Sequence, residues 1–325
     1  MIKFFRQSYA VQYVVIALLA IALWIPAFVS GKASVGLDSS VMPIFNLFER
    51  LLSFSPFAQC ILAFALVLLE ALVFNSILVE NQIIGKVSTM GAFVFVLLMS
   101  LTQTQTAFYP FALSVIFILL LLRVLFDLYL SQNAELSLLK AGIYVALASM
   151  CYFSSILLII WVMVALPVAK KSSLRLQLIP LMGLVFIYFF YFAGQYLFGD
   201  FLPVIQGYGA YFASFRISFD GFNLKNIILL AFLLVSSLLL FFANGNYEKT
   251  ISVRVKMTMS VLLLVLAVMM LFVGGDVLMN GLIFIALSVF FSYEFTAMNN
   301  TGWANLVLVA FLLLVFANHY YFKLL

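Results

Sequence analysis

Four ionisable side chains stand inside long apolar runs of the sequence: Glu70, Arg123, Asp127 and Glu294. An ionisable group within a membrane segment is by default a functional candidate, because hydrocarbon cannot solvate its charge. Arg123 and Asp127 are four residues apart, so on a helix they share a face and can form a neutralising ion pair. The alternatives are that Arg123 binds a substrate phosphate or that Asp127 relays protons.

Glu70 lies near the middle of its apolar run, about one helical turn before Asn75. Its carboxyl group is either a functional group that meets a substrate or a polar contact between packed helices. Glu294 is expected near the water-facing end of its run, which favours a structural role.

Two polar side chains outside the apolar runs could also meet a substrate. Arg216 stands among aromatic residues and could contact a phosphate through charge-assisted hydrogen bonds, or could pair with lipid headgroups. Asp38 stands in a loop before an amphipathic stretch and is either a solvated acid or part of a site. The sequence predicts no metal site and no cofactor, since Cys60 and Cys151 fall in apolar runs and His319 is the single histidine.

The composition excludes a soluble protein. Hydrophobic residues make up 67% of the 325 residues and charged residues only 8%, whereas a soluble domain carries about 25% charged residues. Several apolar runs reach the roughly 20 residues that a helix needs to cross a bilayer. The sequence therefore predicts an all-α, polytopic transmembrane helical bundle that forms a single integral membrane domain over residues 1–325, with no nucleic-acid partner.

About eleven membrane segments are predicted. Their expected ranges are 10–30, 56–79, 88–103, 109–130, 138–152, 154–169, 177–197, 226–243, 257–273, 277–296 and 303–320. The region 138–169 is either one long helix or a hairpin. A hairpin places twice as many Lys and Arg residues in cytoplasmic loops as in outer loops, whereas one helix makes the two sides nearly equal. The positive-inside rule thus favours the hairpin in a bacterial inner membrane, with a cytoplasmic N-terminus.

This orientation places two longer segments, 31–55 and 198–225, on the outer face. In the first, apolar and polar residues alternate at helical spacing over 43–54, which predicts an amphipathic helix in the plane of the headgroups. The second combines aromatic residues with a few charges, which suits the membrane interface. Because Pro203, Gly207, Gly209 and Gly221 interrupt any long helix here, we expect a short interfacial helix between turns.

A resemblance to known families rests on three stretches between Leu78 and Phe198. They read MGAFVFVLLMSLTQTQTAFYPFALSVIFILLLLRVLF, LLKAGIYVALASMCYFSSILLIIWVMVALPVAKK and LQLIPLMGLVFIYFFYFAG. The order of apolar runs in these stretches, and of the residues that interrupt the runs, resembles that of an uncharacterised family of bacterial multi-span inner-membrane proteins. The order of elements also resembles the core of GT-C membrane glycosyltransferases, which use polyprenyl-phosphate-linked sugars. Such enzymes begin with a span, an outer loop that bears an acid, and an interfacial helix.

The resemblance implies specific roles. Asp38 would be the general base or the acid that orients the acceptor, and Arg216 or Arg123 would stabilise the departing lipid phosphate. It also implies a cavity at the outer face, bounded by segments 31–55 and 198–225. Two alternatives are a transporter or lipid translocase that works through Glu70, Arg123 and Asp127, and a non-catalytic subunit of a cell-envelope membrane complex.

Overall fold

A computed structural model describes most of the chain. The described residues are 2–7, 9–30, 41–85, 88–101, 106–131, 133–199, 201–214, 231–237, 250–272, 280–298, 301–318 and 320. Their regular structure is helical throughout, and no strand occurs among them. The helices are α1 (Ile2–Phe5), α2 (Ala10–Ser30), α3 (Pro43–Leu51), α4 (Pro56–Glu80), α5 (Met90–Met99), α6 (Pro110–Leu128), α7 (Ala134–Cys151), α8 (Leu158–Val168), α9 (Leu174–Phe198), α10 (Phe201–Ser214), α11 (Ile251–Phe272), α12 (Asn280–Ala297) and α13 (Thr301–Ala317).

Six of these helices are long and apolar enough to cross a membrane: α2, α4, α6, α7, α9 and α11. Four shorter apolar stretches lie at Met90–Met99, Phe153–Val168, Gly281–Ala297 and Asn305–Ala317. The all-α class is thereby confirmed for the described residues, and the apolar helices are compatible with a polytopic membrane protein. The eighth predicted segment, 226–243, falls mostly outside the described residues, so the number eleven stays a prediction.

Proline and serine set where several helices begin. Pro43, Pro56 and Pro110 are the first residues of α3, α4 and α6, where proline's fixed φ suits the first turn and its missing N–H costs nothing. Ser55 caps α4 by accepting a hydrogen bond from the Ala58 N–H at 3.4 Å. These residues fix the corner at which the chain passes from α3 into α4.

The predicted hairpin is present. The α7 helix ends at Cys151, a 3₁₀ helix covers Phe153–Leu157, and α8 follows. At the far end of α8, the Lys171 Nζ donates to the Ser131 carbonyl oxygen at 3.3 Å. Because α7 alone is about 27 Å long, this contact requires the chain to reverse between α7 and α8. The first arm begins earlier than predicted and is long enough to span, whereas α8 is the short arm that was expected.

Two glycines let α7 and α9 pack closely. A Cβ atom on Gly142 of α7 would overlap the Pro180 carbonyl group of α9, and one on Gly183 of α9 would lie 2.7 Å from the Leu139 carbonyl oxygen of α7. Small residues at such a crossing bring the two backbones together, which is how membrane helices gain packing energy in the absence of a hydrophobic effect.

The centre of the bundle is a helix too short to span. All ten residues of α5 are buried, and they pack mainly against α4 and α12. A helix of ten residues is about 15 Å long, half the hydrocarbon thickness. Its ends therefore lie within the protein, where other side chains must satisfy their polar groups.

The N-terminal residues fasten one end of the bundle. The Thr89 N–H, just before α5, donates to the Phe5 carbonyl oxygen at 2.9 Å. Arg6 donates to the carbonyl oxygens of Phe295 and Met298 at the last turn of α12, at 3.0 and 2.6 Å. A cation at a helix C-terminus is favourable because it meets the negative end of the helix dipole. We call this end of the molecule the α1 end and the opposite end, where α3 lies, the α3 end.

The close contact between α7 and α9 predicts that alanine substitutions at two glycines of α9 have opposite effects on the stability of the protein. Gly183→Ala should lower the free energy of unfolding by about 1–3 kcal/mol, because the added methyl meets the backbone of α7. Gly194→Ala is the matched control, since a Cβ there meets nothing within 4 Å and alanine favours helix. The measurement is the unfolding temperature of each purified variant in mild detergent, and equal temperatures for the two variants would contradict the close packing.

The two ends of the bundle should face opposite sides of the membrane, with the α1 end in the cytoplasm as the charge distribution predicts. In sealed right-side-out vesicles, a membrane-impermeant maleimide should label Arg50→Cys but reach Glu135→Cys only after permeabilisation. The native Cys60 and Cys151 are buried, so the background should be low. The reverse pattern, or labelling of both variants from one side, would overturn this orientation.

Candidate functional site

The α3 helix is the amphipathic element that the sequence predicts. Its Phe45 is buried and stacks on Phe108 with ring centroids 5.4 Å apart. Leu47, Arg50 and Leu51 are exposed on its other side. With nine residues, α3 is about 13 Å long and cannot cross a membrane. It therefore covers the segment before α6 with one face and offers the other to a ligand or to solvent.

A cavity of about 640 Å³ lies between α3, the end of α9 and the start of α10. A cavity thus lies where segment 31–55 meets the beginning of segment 198–225, together with the end of α9, whereas its position at the outer face stays a prediction. Its polar groups are Asn46 and Arg50 from α3 and Tyr191 and Gln195 from α9. Its apolar wall includes Leu47, Leu51, Pro203 and Val204. The volume falls in the range of sites that hold small molecules, which likewise combine an apolar wall with a few polar groups.

An aromatic cluster holds α10 against the turn of the hairpin. The Phe153 ring lies 5.1 Å from Tyr208 and 5.0 Å from Tyr211, both edge to face. The Ser154 and Tyr211 hydroxyls form a hydrogen bond at 3.0 Å. Burial raises the pKa of Tyr208 above its ordinary value, so its phenol stays neutral. These contacts fix the wall of the cavity that α10 supplies.

The short helix expected in this region is present as α10, and Gly221 lies outside the described residues. The expectation that Pro203, Gly207 and Gly209 interrupt the helix is wrong. All three lie within α10, which runs continuously for 14 residues. Pro203 falls in the first turn of the helix, where the missing N–H has no partner to lose. The prolyl ring therefore starts the helix instead of ending it.

The structure brings other polar residues to this cavity than those the sequence singled out. Asp38 and Arg216, the candidates for catalysis and phosphate binding, lie outside the described residues. Arg50 and Gln195 were missed. A signal for Arg50 was available, since it stands on the polar side of the amphipathic helix. The sequence contains no such signal for Gln195, because nothing in it shows that the end of α9 lies beside α3.

Arg123 pairs with a different carboxylate from the one its spacing suggested. Its guanidinium lies 2.7 Å from the Glu80 carboxylate at the end of α4, and both side chains are about half exposed. Asp127 lies within electrostatic range of Lys256 and Arg123. The Lys256 Nζ is buried and donates to the Asn81 carbonyl oxygen at 3.0 Å. These groups form one charge cluster near the α1 end.

The carboxyl group of Glu70 lies apart from this charge cluster. It is completely buried, and neither of its oxygens has a hydrogen-bond partner among the described residues. The polar contact between helices is made by Asn75 instead: its amide donates to the Ser88 carbonyl oxygen at 3.0 Å and accepts from the Ala92 N–H at 3.3 Å. The structure therefore does not support the interpretation of Glu70 as a helix-packing contact.

Glu294 differs from its expected setting. It was predicted to reach water at the end of its segment, but its side chain is fully buried. The reason is the N-terminal segment, which covers the last turn of α12 through the Arg6 hydrogen bonds.

No protein-family model, curated protein or solved structure matches this chain.

The cluster beside the cavity predicts energetic coupling between Ser154 and Tyr211. Each of Ser154→Ala and Tyr211→Phe should lower the free energy of unfolding, and the double variant should lose less than the sum. The coupling should be about 0.6 kcal/mol, the mean for hydrogen bonds between membrane helices. The measurement is a double-mutant cycle in detergent-induced unfolding. Strictly additive losses would show that this hydrogen bond does not hold α10.

Proposed function

We propose that the protein binds a polyprenyl-phosphate-linked sugar in the cavity between α3, α9 and α10, and acts on it as a GT-C-like glycosyltransferase at the outer leaflet. The observation that carries this proposal is the position of Arg50. Its guanidinium borders the cavity, is exposed, and forms no ion pair among the described residues. A guanidinium at a cavity mouth is suited to bidentate recognition of a phosphate.

The other groups of the cavity suit the rest of such a substrate. The side-chain amides of Asn46 and Gln195 offer both donors and acceptors for sugar hydroxyls. Tyr191 adds an aromatic ring and a hydroxyl at the same wall. Leu47 and Leu51 are exposed beside them, where the first isoprenoid units could leave the cavity for the bilayer. The combination of one cation, two amides and an apolar exit supports a lipid-linked headgroup over a free ion.

The transfer step would need a base, for which the resemblance to GT-C enzymes names Asp38. The acceptor hydroxyl oxygen bonds to the anomeric carbon while the bond from that carbon to the phosphate oxygen breaks. The electron pair leaves with the lipid phosphate, and the acceptor proton passes to the carboxylate. Arg50 at the cavity would stabilise the charge on the departing phosphate, a role for which the resemblance to GT-C enzymes also names Arg216.

The transporter alternative receives less support, because its three residues do not lie together. Arg123 and Asp127 belong to the charge cluster near the α1 end, where Arg123 meets Glu80. Glu70 lies on α4 about 15 Å from Glu80, given the helical rise. Glu70 and the charge cluster therefore do not form one compact substrate site.

Replacing Arg50 should weaken binding of the lipid-linked sugar. Loss of a charge-assisted hydrogen bond to phosphate costs about 1.5–3 kcal/mol, so Arg50→Ala should bind about 10- to 100-fold more weakly. The affinity of Arg50→Lys should lie between those of the wild type and Arg50→Ala, since lysine keeps the charge but not the planar guanidinium. The measurement is titration of the protein in nanodiscs with a fluorescent polyprenyl-phosphate-linked sugar.

The matched control is Arg175→Ala. Arg175 is also an exposed arginine, but it pairs with Glu135 at 3.0 Å, near the α1 end. Its removal should leave the affinity unchanged. An Arg50→Ala variant that binds as tightly as the wild type would refute the cavity as the headgroup site. Asp38→Ala should bind normally and lose transfer of the labelled sugar, whereas full transfer would remove the enzyme from the proposal and leave binding alone.

A further inference from the structure

A second cavity lies at the α1 end of the molecule, where α7 and α9 begin. We call it the α7–α9 cavity. Its volume is about 760 Å³, and its polar lining includes Asn133, Glu135 and Lys171. The rest of the lining is apolar and comes from both helices, including Leu139 of α7 and Met182 of α9. The cavity therefore combines a cation with an apolar wall, as sites for small amphipathic molecules do.

The Lys171 side chain is held in place at this cavity. Its Nζ donates to the Ser131 carbonyl oxygen at 3.3 Å, across the gap between the start of α7 and the end of α8. An ammonium group carries three donors, so it can bind a ligand oxygen in the cavity while it holds Ser131. Lys171 is thus both a contact of the hairpin and a positioned cation.

An apolar groove continues from the α7–α9 cavity along α9. Met182 lines both the cavity and the groove. The groove residues are exposed, belong to α9 and recur every three or four positions, so they form one stripe of the helix. They are Leu178, Leu181, Met182, Val185, Phe186 and Phe189. The stripe is about 17 Å long, close to the roughly 15 Å of hydrocarbon in one leaflet. Its length therefore suits an acyl chain of one leaflet.

Positive charge collects at the cavity end of this groove. The described segments around the cavity, 133–140 and 170–176, contain four basic residues and one acidic residue. The acidic residue, Glu135, lies 3.0 Å from the Arg175 guanidinium, which offsets its charge. The basic residues that this pair leaves are Lys140, Lys170 and Lys171. A basic pocket between membrane helices is complementary to an anionic lipid headgroup.

The backbone at Lys170 has an unusual conformation for a lysine. Its φ is 58°, in the left-handed region that favours glycine. The Lys170 N–H donates to the Pro167 carbonyl oxygen at 3.0 Å, and the next N–H donates to the Leu166 carbonyl oxygen at 3.0 Å. This is the helix C-terminal motif in which glycine usually occupies the left-handed position. A lysine that stands there at a conformational cost is a candidate for a role that depends on its side chain.

We propose that the α7–α9 cavity and the groove along α9 form a binding site for an anionic phospholipid. The headgroup phosphate meets the Lys171 ammonium in the cavity, and Lys170 adds positive potential beside it. One acyl chain lies along the apolar stripe of α9. The stripe supports a phospholipid over a soluble anion, because the same ligand must also cover apolar surface. The site lies at the opposite end of the molecule from the cavity beside α3 and does not depend on the function proposed for that cavity.

The test is native mass spectrometry of the full-length protein in mild detergent, titrated with phosphatidylglycerol or with phosphatidylcholine of the same acyl chains. The wild type should bind the anionic lipid more tightly. Each lysine near an anionic lipid contributes about a fivefold factor in affinity. Lys170→Gly should therefore weaken phosphatidylglycerol binding about fivefold, and its combination with Lys171→Gln should weaken it about 25-fold. Lys170→Gly should not lower the unfolding temperature, because glycine adopts a positive φ without strain.

Arg254→Gln is the matched control for the loss of one positive charge. Arg254 is exposed on α11 near the charge cluster, and the α7–α9 cavity does not include it. Its removal should leave the preference for phosphatidylglycerol unchanged. Met182→Ser tests the apolar part of the site. It should weaken the binding of both lipids by the same factor, because it removes apolar contact and leaves the charges in place.

Three outcomes would overturn the proposal. They are equal affinity of the wild type for the two lipids, equal losses in Arg254→Gln and Lys170→Gly, and displacement of the lipid by an equal concentration of glycerol 3-phosphate, which would show a site for a soluble anion. A further measurement needs no variant: phosphatidylglycerol should raise the unfolding temperature of the wild type more than phosphatidylcholine does. Equal effects of the two lipids on that temperature would likewise refute the site.

Discussion

Hydrocarbon offers no hydrogen-bond partner, and this constraint decides how each break in the helices of this protein is built. In the connection from α4 to α5, the Asn75 side-chain amide donates a hydrogen bond to the Ser88 carbonyl oxygen and accepts one from the Ala92 N–H. At the end of α12, the Arg6 guanidinium donates hydrogen bonds to the last carbonyl oxygens. Where α5 ends, side chains from α2 and from the end of α13 reach the break. The short α5 helix lies at the centre because only there can other side chains reach its ends.

The same constraint explains which parts of the fold could be predicted from the sequence. Apolar length locates the helices, and the distribution of Lys and Arg was enough to favour the hairpin that the Lys171–Ser131 contact confirms. Hydropathy does not tell which helices are central. The α5 helix is wholly buried, whereas α9 has only Pro180 and Gly183 buried. Both are predominantly apolar, since lipid and the protein interior favour the same side chains.

Pairing between helices was harder to predict than their positions. The four-residue spacing of Arg123 and Asp127 suggested a local ion pair, but the closer carboxylate comes from the end of α4, which runs beside α6. The cavity depends on contacts of the same long-range kind. It joins Arg50 to Gln195, which stand on helices far apart in sequence. A pattern within one helix can reveal Arg50 as a polar residue but cannot reveal what faces it.

The cavity and Glu70 lie on opposite sides of one contact, the stack of Phe45 on Phe108. On the α3 side, the polar groups are open to water, so a large headgroup can replace the solvent around them at little cost. On the other side, Tyr109 follows directly after Phe108, and Glu70 is enclosed. A bulky ligand could not enter there without displacing packed side chains, at the cost that overpacking of a dense interior carries. The groups that a large headgroup can meet are therefore those that line the cavity on the α3 side of this contact.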